Sequence, residues 1–151
     1  MNQKPGRFLV VEDNDTLRRG IARVLADGFG AVDEEAAGDT AVARLRDPAN
    51  PPYDVIVTDL RLPGAGGIEV LEAARARDER SAVILMTAYG TIEAAVDAMR
   101  RGAFDFVQKP FDLEQLEVRV ARALEHGRLL REVTHLRAER AARFAPENLV
   151  G

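Results

Sequence analysis

Short apolar runs that alternate with helical patterns are the feature that most restricts the fold of this 151-residue chain. The predicted strands are FLVV (8–11), GAVDEEAA (30–37), YDVIVT (53–58), SAVILMT (81–87) and FDFVQ (104–108). A single helical segment follows each of them. Strands that alternate with single helices are joined by right-handed crossovers, which produce a parallel sheet with helices on both faces. The sequence therefore predicts an α/β fold with a doubly wound sheet.

Composition excludes several classes of protein. The net charge is −4, so the chain has no overall basic footprint for nucleic acid. It contains no cysteine, which removes disulfides, thiolate metal ligands and cysteine nucleophiles. No segment has the features of a signal peptide, and no apolar run approaches the length of a membrane span. We therefore expect a cytoplasmic protein without a membrane segment.

Polar residues stand at the carboxyl ends of four of the predicted strands. Ligand sites of doubly wound sheets form at these ends, where the strand order reverses. The residues concerned are Glu12 and Asp13 after the first strand, Asp59 after the third, Thr87 at the end of the fourth and Lys109 after the fifth. We expect the carboxylates, the hydroxyl and the ammonium to meet at one rim of the sheet.

This set of groups is suited to phosphoryl transfer. Neighbouring carboxylates raise one another's pKa unless a cation joins them, and their hard oxygens suit Mg²⁺. A carboxylate can also attack phosphorus to give an acyl phosphate. A divalent metal, a lysine and a hydroxyl then stabilise the charge on the phosphoryl oxygens.

Each of these residues also has a simpler interpretation. Asp13, Asn14 or Asp15 could cap the first helix, and we expect one of the latter two to do so. Asp59 could belong to a turn, and Thr87 could be an ordinary strand residue. Lys109 could be a surface lysine, yet the chain has only one other lysine, Lys4, beside 19 arginines. A shared site explains the four strand ends together.

Four stretches resemble the receiver domain of two-component response regulators: VVED (10–13), VTDLRLPG (57–64), LMTAYG (85–90) and GAFDFVQKPFD (102–112). The resemblance runs from residue 7 to about residue 125. It implies a flavodoxin-like (βα)5 parallel sheet with the strand order 2-1-3-4-5 and an extended C-terminal helix. It also implies a regulatory domain and not an enzyme. Such a domain catalyses only its own phosphoryl transfer and dephosphorylation.

The resemblance implies a role for each acid of the rim. Asp59 would accept the phosphoryl group. Asp13 and Asp59 would bind Mg²⁺ together with the backbone carbonyl of Arg61. Glu12 would act on the metal through a bound water.

On the phosphoryl side of the site, the resemblance implies that Thr87 contacts the phosphoryl group and that Lys109 pairs with it. The Lys109–Pro110 peptide bond would be cis. Phe106 occupies the position of the switch aromatic, which couples to Thr87. One departure from the family pattern is Gly66, which stands where an acid is usual and leaves the capping of the third helix open.

The stretch TAYGTIEAAVDAMRRGAFDFVQKPFD (87–112) narrows the resemblance to the receivers of sigma-54-dependent, nitrogen-regulatory transcription activators. We expect a receiver in residues 1–125, a linker helix in residues 126–145 and the start of an AAA+ ATPase domain in residues 146–151. The chain contains no Walker A sequence, so we do not expect it to hydrolyse ATP. The parent protein would carry the ATPase domain and a DNA-binding domain.

In the predicted linker, Leu129, Val133 and Leu136 follow one another at spacings of four and three residues. This is the rhythm of a coiled coil, and an isolated helix of this length is marginal in water. We therefore expect a homodimer through the last helix and a face of the receiver, with a solvated linker as the alternative. Residues 128–143 hold five arginines and two glutamates without interleaved aromatics, so we expect no direct binding to nucleic acid.

The function implied by the resemblance is a switch. A sensor histidine kinase would phosphorylate Asp59, and the resulting change in dimer geometry would control the ATPase domain. Three alternatives remain open. A phosphatase would usually carry a second acid two residues after its nucleophile, where this chain has Arg61. A flavin-binding carrier would need a glycine- and hydroxyl-rich loop instead of EDND (12–15). A docking module that works without phosphorylation would not need the acid, hydroxyl and lysine set.

Overall fold

The computed structural model describes residues 6–88 and 92–150, with side chains up to residue 140. Within these residues, five strands alternate with five helices. The strands are β1 (Gly6–Val11), β2 (Gly30–Glu35), β3 (Val55–Asp59), β4 (Ala82–Thr87) and β5 (Asp105–Gln108). The helices are α1 (Asp15–Gly28), α2 (Gly38–Arg46), α3 (Gly67–Arg77), α4 (Ile92–Arg100) and α5 (Leu113–Val150).

The strands form one parallel sheet in the order β2-β1-β3-β4-β5. The prediction of a flavodoxin-like sheet with an extended last helix is therefore confirmed. The strand order reverses between β1 and β3. In sheets of this kind the ligand crevice lies at the carboxyl ends of the strands that flank the reversal.

The sheet separates two hydrophobic cores. Phe8 and Val10 of β1 face a core shared with α1 and α5. Leu9 and Val11 face a second core, shared with α2, α3 and α4. Because successive side chains of a strand point to opposite faces, a strand covered on both faces is apolar throughout. The same burial explains why residues 55–57 show no polar alternation.

The edge strand β2 carries three successive acids at positions 33–35 and is nevertheless a regular strand. Arg18 of α1 donates to Glu34 over 3.0 Å. Arg44 of α2 donates to Glu35 over 2.6 Å. The arginines of the two flanking helices thus compensate the acids of this strand.

The loop between β3 and α3 is held by contacts with both α2 and α3. The Gly66 N–H donates to Oε1 of Glu69 over 2.8 Å. The Glu69 side chain therefore caps the start of α3, although position 66 is a glycine. On the other side, the Gly38 N–H donates to the carbonyl of Pro63 over 3.0 Å. Gly38 lies so close to the carbonyl of Ala65 that a β-carbon at position 38 would overlap that oxygen.

The long helix α5 also contacts residues outside the hydrophobic core. Gly127 is buried, and a β-carbon at this position would come within 3.9 Å of the backbone carbonyl of Arg80. Four residues later, Arg131 pairs with Asp54 at 3.2 Å, immediately before β3. These contacts place one side of α5 against the amino-terminal edge of the sheet.

Helix α5 has 38 residues and ends at Val150. The sequence predicts a linker helix only as far as residue 145, before Pro146. Proline lacks an N–H donor, but its fixed φ is itself compatible with a helix, so the helix continues past it. Neither α5 nor another helix among the described residues is both long and apolar enough to cross a membrane.

Candidate functional site

Glu12 and Asp13 lead from β1 into α1. Glu12 is 1% exposed, and its Oε2 accepts the N–H of Asn14 over 3.0 Å. Asn14 provides the helix cap, because its Oδ1 accepts the N–H of Leu17 over 2.9 Å. Capping therefore accounts for Asn14 and leaves both acids without a capping role.

Asp59 is the last residue of β3 and is 9% exposed. Lys109 Nζ donates to Asp59 Oδ2 over 2.9 Å and to Glu12 Oε1 over 2.7 Å. The ammonium thus bridges carboxylates that two neighbouring strands deliver. The Arg61 N–H lies 3.4 Å from Asp59 Oδ1, so the backbone of Arg61 adjoins the same carboxylate. The Lys109–Pro110 peptide bond is cis, as the resemblance implies.

Carboxylate oxygens of Glu12, Asp13 and Asp59 lie within 4.8 Å of one another. Carboxylates at this separation repel unless positive charge lies among them. Oxygen donors of this kind are the ligands that Mg²⁺ prefers. The donor set therefore fits a divalent cation, and Lys109 contributes one positive charge beside it.

Burial and charge pairing set the ionisation of the rim. Burial raises the pKa of the Glu12 carboxyl; hydrogen bonds from Lys109 and Asn14 oppose this rise, and the charge of Asp59 adds to it. Burial alone would lower the pKa of Lys109, but its hydrogen bonds to Glu12 and Asp59 outweigh burial and raise that pKa. The lysine therefore carries a firmly held positive charge at neutral pH.

Thr87 ends β4 and is fully buried. Its hydroxyl has no hydrogen-bond partner among the described residues. The backbone N–H of Lys109 donates to the Thr87 carbonyl over 2.6 Å, which brings the ends of β4 and β5 together. A buried polar group without a partner costs stability, so this hydroxyl is suited to an additional acceptor such as a phosphoryl oxygen.

Phe106 is half-buried in β5, where it pairs with Leu85 of β4. It packs against the core shared with α2, α3 and α4. Thr87 follows Leu85 by two residues and so lies on the same face of β4. The structure therefore places Phe106 and Thr87 on one face of adjacent strands.

The residues of this rim lie in a segment of the chain that matches a known protein family. The pattern of the response regulator receiver domain matches residues 8–121. The chain belongs to the response regulator receiver family. Every rim residue named above lies inside the matched segment.

Relatives of this receiver are regulatory proteins of greater length. It is 40% identical to the regulatory protein AtoC of Escherichia coli over 131 residues, which covers 86% of this chain and 28% of AtoC. It is 35% identical to the DNA-binding transcriptional regulator NtrC of Salmonella typhimurium over 121 residues, covering 80% of this chain and 25% of NtrC.

A crystal structure of NtrX from Brucella abortus in complex with ADP matches the receiver with a TM-score of 0.77 and 33% identity. The match covers 87% of this chain and 30% of NtrX. The receiver thus resembles the N-terminal receivers of NtrC-type, sigma-54-dependent transcription regulators. It spans about a quarter to a third of the length of these three relatives.

One residue beside the site is absent from the set predicted from the sequence, the buried Arg18 of α1. One of its nitrogens donates to the backbone carbonyl of Glu12 over 2.9 Å. In the sequence, Arg18 precedes Ile21 and Leu25 by three and seven residues, which is the spacing of the buried face of α1, and this spacing is the signal that could have found it. Its partners become visible only when β1 and β2 lie beside α1.

The three residues of the predicted dimer contact lie on α5, beyond the segment that matches the receiver domain. Leu129, Val133 and Leu136 are 46%, 42% and 62% exposed in the single chain. The receiver therefore leaves a large part of this stripe uncovered.

Proposed function

We propose that this receiver takes a phosphoryl group from the phosphohistidine of a sensor histidine kinase onto Asp59. The observation that supports the proposal best is the contact of Lys109 Nζ with Asp59 Oδ2 at 2.9 Å, within a cluster of three carboxylates. A cation beside the attacking carboxylate is what a phosphoryl acceptor needs, because negative charge accumulates on the transferring group.

In the proposed reaction, a carboxylate oxygen of Asp59 attacks the phosphorus of the donor. The bond between phosphorus and the donor nitrogen breaks, and the imidazole leaves with the bonding electron pair. The product is an acyl phosphate on Asp59. Lys109 would then pair with a phosphoryl oxygen, and the Thr87 hydroxyl would donate to another.

The residues proposed to hold Mg²⁺ are Asp13, Asp59 and the backbone carbonyl of Arg61, with Glu12 acting through water. When bound, the ion would neutralise charge on the phosphoryl oxygens. Arg61 also stands where phosphatases carry a second acid. We therefore propose that the domain turns over only its own phosphoryl group.

Thr87 and Phe106 are the proposed switch. Donation from the Thr87 hydroxyl to the phosphoryl group would draw the end of β4 towards Asp59. Phe106 packs on the same face of the neighbouring strand and would move inwards into the space left behind. A local charge would thus bias the packing of α4, β5 and the start of α5.

The proposed output is a change in the geometry of a homodimer built from α5 and a face of the receiver. Contacts at Gly127 and Arg131 hold one side of α5 against the receiver, and the stripe of Leu129, Val133 and Leu136 lies outside them. A second copy of α5 is the simplest partner for that stripe.

The proposed division of the chain is a receiver in residues 1–125, a linker in residues 126–145 and the start of an AAA+ ATPase domain in residues 146–151. Side chains after residue 140, and all of residue 151, lie outside the described residues. We propose that the parent protein acts in the cytoplasm and joins the ATPase domain to a DNA-binding domain. The name of NtrC, a DNA-binding transcriptional regulator, supports the DNA-binding part of this assignment, and the ADP complex of NtrX supports a nucleotide-binding part.

The test is the intact mass of the protein after incubation with acetyl phosphate, with and without Mg²⁺. The proposal predicts the gain of one phosphoryl group in the wild type, which requires Mg²⁺ and disappears in Asp59→Asn. The matched control is Asp54→Asn, at the opposite end of β3, which should be phosphorylated like the wild type. A gain that persists in Asp59→Asn would contradict the proposal.

A further inference from the structure

Arg18 is an arginine whose guanidinium is almost completely enclosed by the receiver. The residue is 9% exposed, although arginines are seldom buried. Its guanidinium joins the loop after β1, the strand β2 and the first turn of its own helix. It donates to the Glu12 carbonyl over 2.9 Å, to Glu34 of β2 over 3.0 Å and to Asp15 of α1 over 2.8 Å.

These contacts stabilise the positive charge that the guanidinium carries at any ordinary pH. Burial alone would lower the pKa of Arg18, but hydrogen bonds to Asp15 and Glu34 outweigh it and raise that pKa. The planar fork of a guanidinium holds several acceptors at fixed angles, which an ammonium does not do. Arg18 therefore links the two acids and the Glu12 carbonyl into one rigid unit.

The Glu12 carbonyl belongs to the peptide that joins Glu12 to Asp13. Its orientation decides where the Asp13 side chain leaves the backbone. On the other side of the same turn, the Asn14 N–H donates to the Glu12 carboxylate over 3.0 Å. The Glu12 N–H also donates to the Glu35 carbonyl over 3.1 Å. Of the hydrogen bonds that restrain this turn, the one from Arg18 is the one that fixes the Glu12 carbonyl.

We propose that Arg18 is a positioning residue that holds Glu12 and Asp13 in the arrangement required for a divalent cation. This role rests on the proposed metal site of the receiver and adds a residue to it. Arg18 itself would contact neither the metal nor the phosphoryl group. Groups that orient metal ligands from behind in this manner affect metal affinity by about ten- to a hundredfold.

Arg44 offers a matched control on the other side of β2. It pairs with Glu35 at 2.6 Å and with Asp33 at 3.6 Å, and it joins α2 to β2 as Arg18 joins α1 to β2. It makes no contact with the turn that carries Glu12 and Asp13 among its described hydrogen bonds and ion pairs. Loss of Arg44 therefore removes helix–strand ion pairs and spares the acidic turn.

The experiment measures binding of Mn²⁺ through the electron paramagnetic resonance signal of the free ion. The proteins are the wild type, Arg18→Met, Arg18→Lys, Arg44→Met and Asp13→Asn. Circular dichroism and thermal unfolding establish the temperature at which each protein is folded. Both the dissociation constant and the number of ions bound per chain are recorded, because partial unfolding lowers the number, whereas a misplaced ligand raises the constant.

We expect Arg18→Met to raise the dissociation constant of Mn²⁺ about tenfold while it still binds one ion per chain. Arg44→Met should stay within about twofold of the wild type, since its partners are not metal ligands. Arg18→Lys should lie between the wild type and Arg18→Met, because one ammonium cannot hold all three partners in the fork geometry. If Arg18→Met is too unstable to assay, Arg18→Lys decides the question, and a wild-type constant in it would overturn the proposal.

The remaining outcomes separate this inference from the proposed function. If Asp13→Asn loses the ion while Arg18→Met binds it like the wild type, the metal site stands and the role of Arg18 is overturned. Equal weakening in Arg18→Met and Arg44→Met would also overturn that role. If the wild type binds no ion, or Asp13→Asn binds it unchanged, the metal site itself is overturned, and the role of Arg18 with it.

Discussion

Lys109 Nζ lies 2.9 Å from Asp59 Oδ2, although 50 residues separate the two along the chain. The contact depends on the sheet order, which sets β4 between β3 and β5 and brings the ends of all three to one rim. The same ammonium holds Glu12 at 2.7 Å. The rim is therefore a shared ionic network, and a change of charge at one strand end alters the ion pairs at the others.

Lys109 should contribute to stability in a way that alkaline pH removes. Its hydrogen bonds to Glu12 and Asp59 outweigh burial and raise its pKa above the ordinary 10.5. The folded protein then holds this proton more tightly than the unfolded chain. The contribution is fully present below pH 10.5 and is lost as the pH rises through the folded pKa.

Urea unfolding at about pH 9.5 and about pH 11.5 checks this behaviour in the wild type and in Lys109→Met. The advantage in unfolding free energy of the wild type over the variant should shrink at the higher pH. Burial raises the pKa of Tyr53 as well, but that residue is present in both proteins and cancels in the comparison. An advantage that stays constant between the two pH values would contradict the assignment.

Thr87→Val should stabilise the unphosphorylated protein. The buried hydroxyl of Thr87 has no partner within the described part of the chain, and valine fills the same space without a polar atom. We expect the free energy of unfolding to rise by about 1 kcal/mol. Thr58→Val is the control, since the Thr58 hydroxyl donates to the Asp59 carbonyl over 2.9 Å and its loss should cost about 1 kcal/mol. Chemical denaturation of both variants in the absence of phosphodonor measures the pair, and a destabilised Thr87→Val would refute the interpretation.

Gly38→Ala and Gly20→Ala should change stability in opposite directions. A β-carbon at position 38 would overlap the Ala65 carbonyl, whereas one at position 20 of α1 would meet nothing within 4 Å. Gly38→Ala should therefore lower the free energy of unfolding by about 2 kcal/mol. Gly20→Ala should raise it by about 0.8 kcal/mol, because alanine is the better helix former. Thermal unfolding of the two variants gives the comparison, and a neutral Gly38→Ala would show that the loop yields easily.

Leu136→Asp should dissociate the proposed dimer, and Ala138→Asp should not. Leu136 belongs to the exposed stripe of α5, while Ala138 lies two residues further round the helix, away from it. Burying a carboxylate against an apolar partner should weaken association by more than about tenfold. Sedimentation velocity over a concentration series compares both variants with the wild type. Equal association in all three proteins would mean that the stripe is not a dimer contact.

Much of the fold can be predicted from the sequence, because the hydrophobic pattern is strong where helices cover both faces of the sheet. The run before Asp59 is apolar at every position, since β3 has helices on both sides. The sequence indicates β2 less clearly, because the acids at positions 33–35 interrupt the apolar pattern and find their partners on Arg18 and Arg44 of the flanking helices. Such pairs exist only after the helices have packed.

The candidate site likewise has residues that the sequence predicts and residues that it does not. Glu12, Asp59 and Lys109 could be placed at one rim from the strand ends alone, and the structure brings them together. The spacing of Arg18 from Ile21 and Leu25 places it on the buried face of α1, but the helical pattern does not reveal its partners. These are Glu34 of β2 and the Glu12 carbonyl, which meet the guanidinium only in the folded chain. The close approach of Gly38 to Ala65 was equally hidden, since a glycine does not reveal which backbone will meet it.

The most direct test of the central claim locates the phosphoryl group chemically. The protein is phosphorylated with acetyl phosphate and Mg²⁺, reduced with borohydride, digested and sequenced by mass spectrometry. Borohydride converts an acyl phosphate of aspartate into homoserine and leaves phosphate esters untouched. The account predicts homoserine at position 59. A phosphorylated protein that retains aspartate at position 59, or that carries homoserine at another acid such as Asp13, would contradict it.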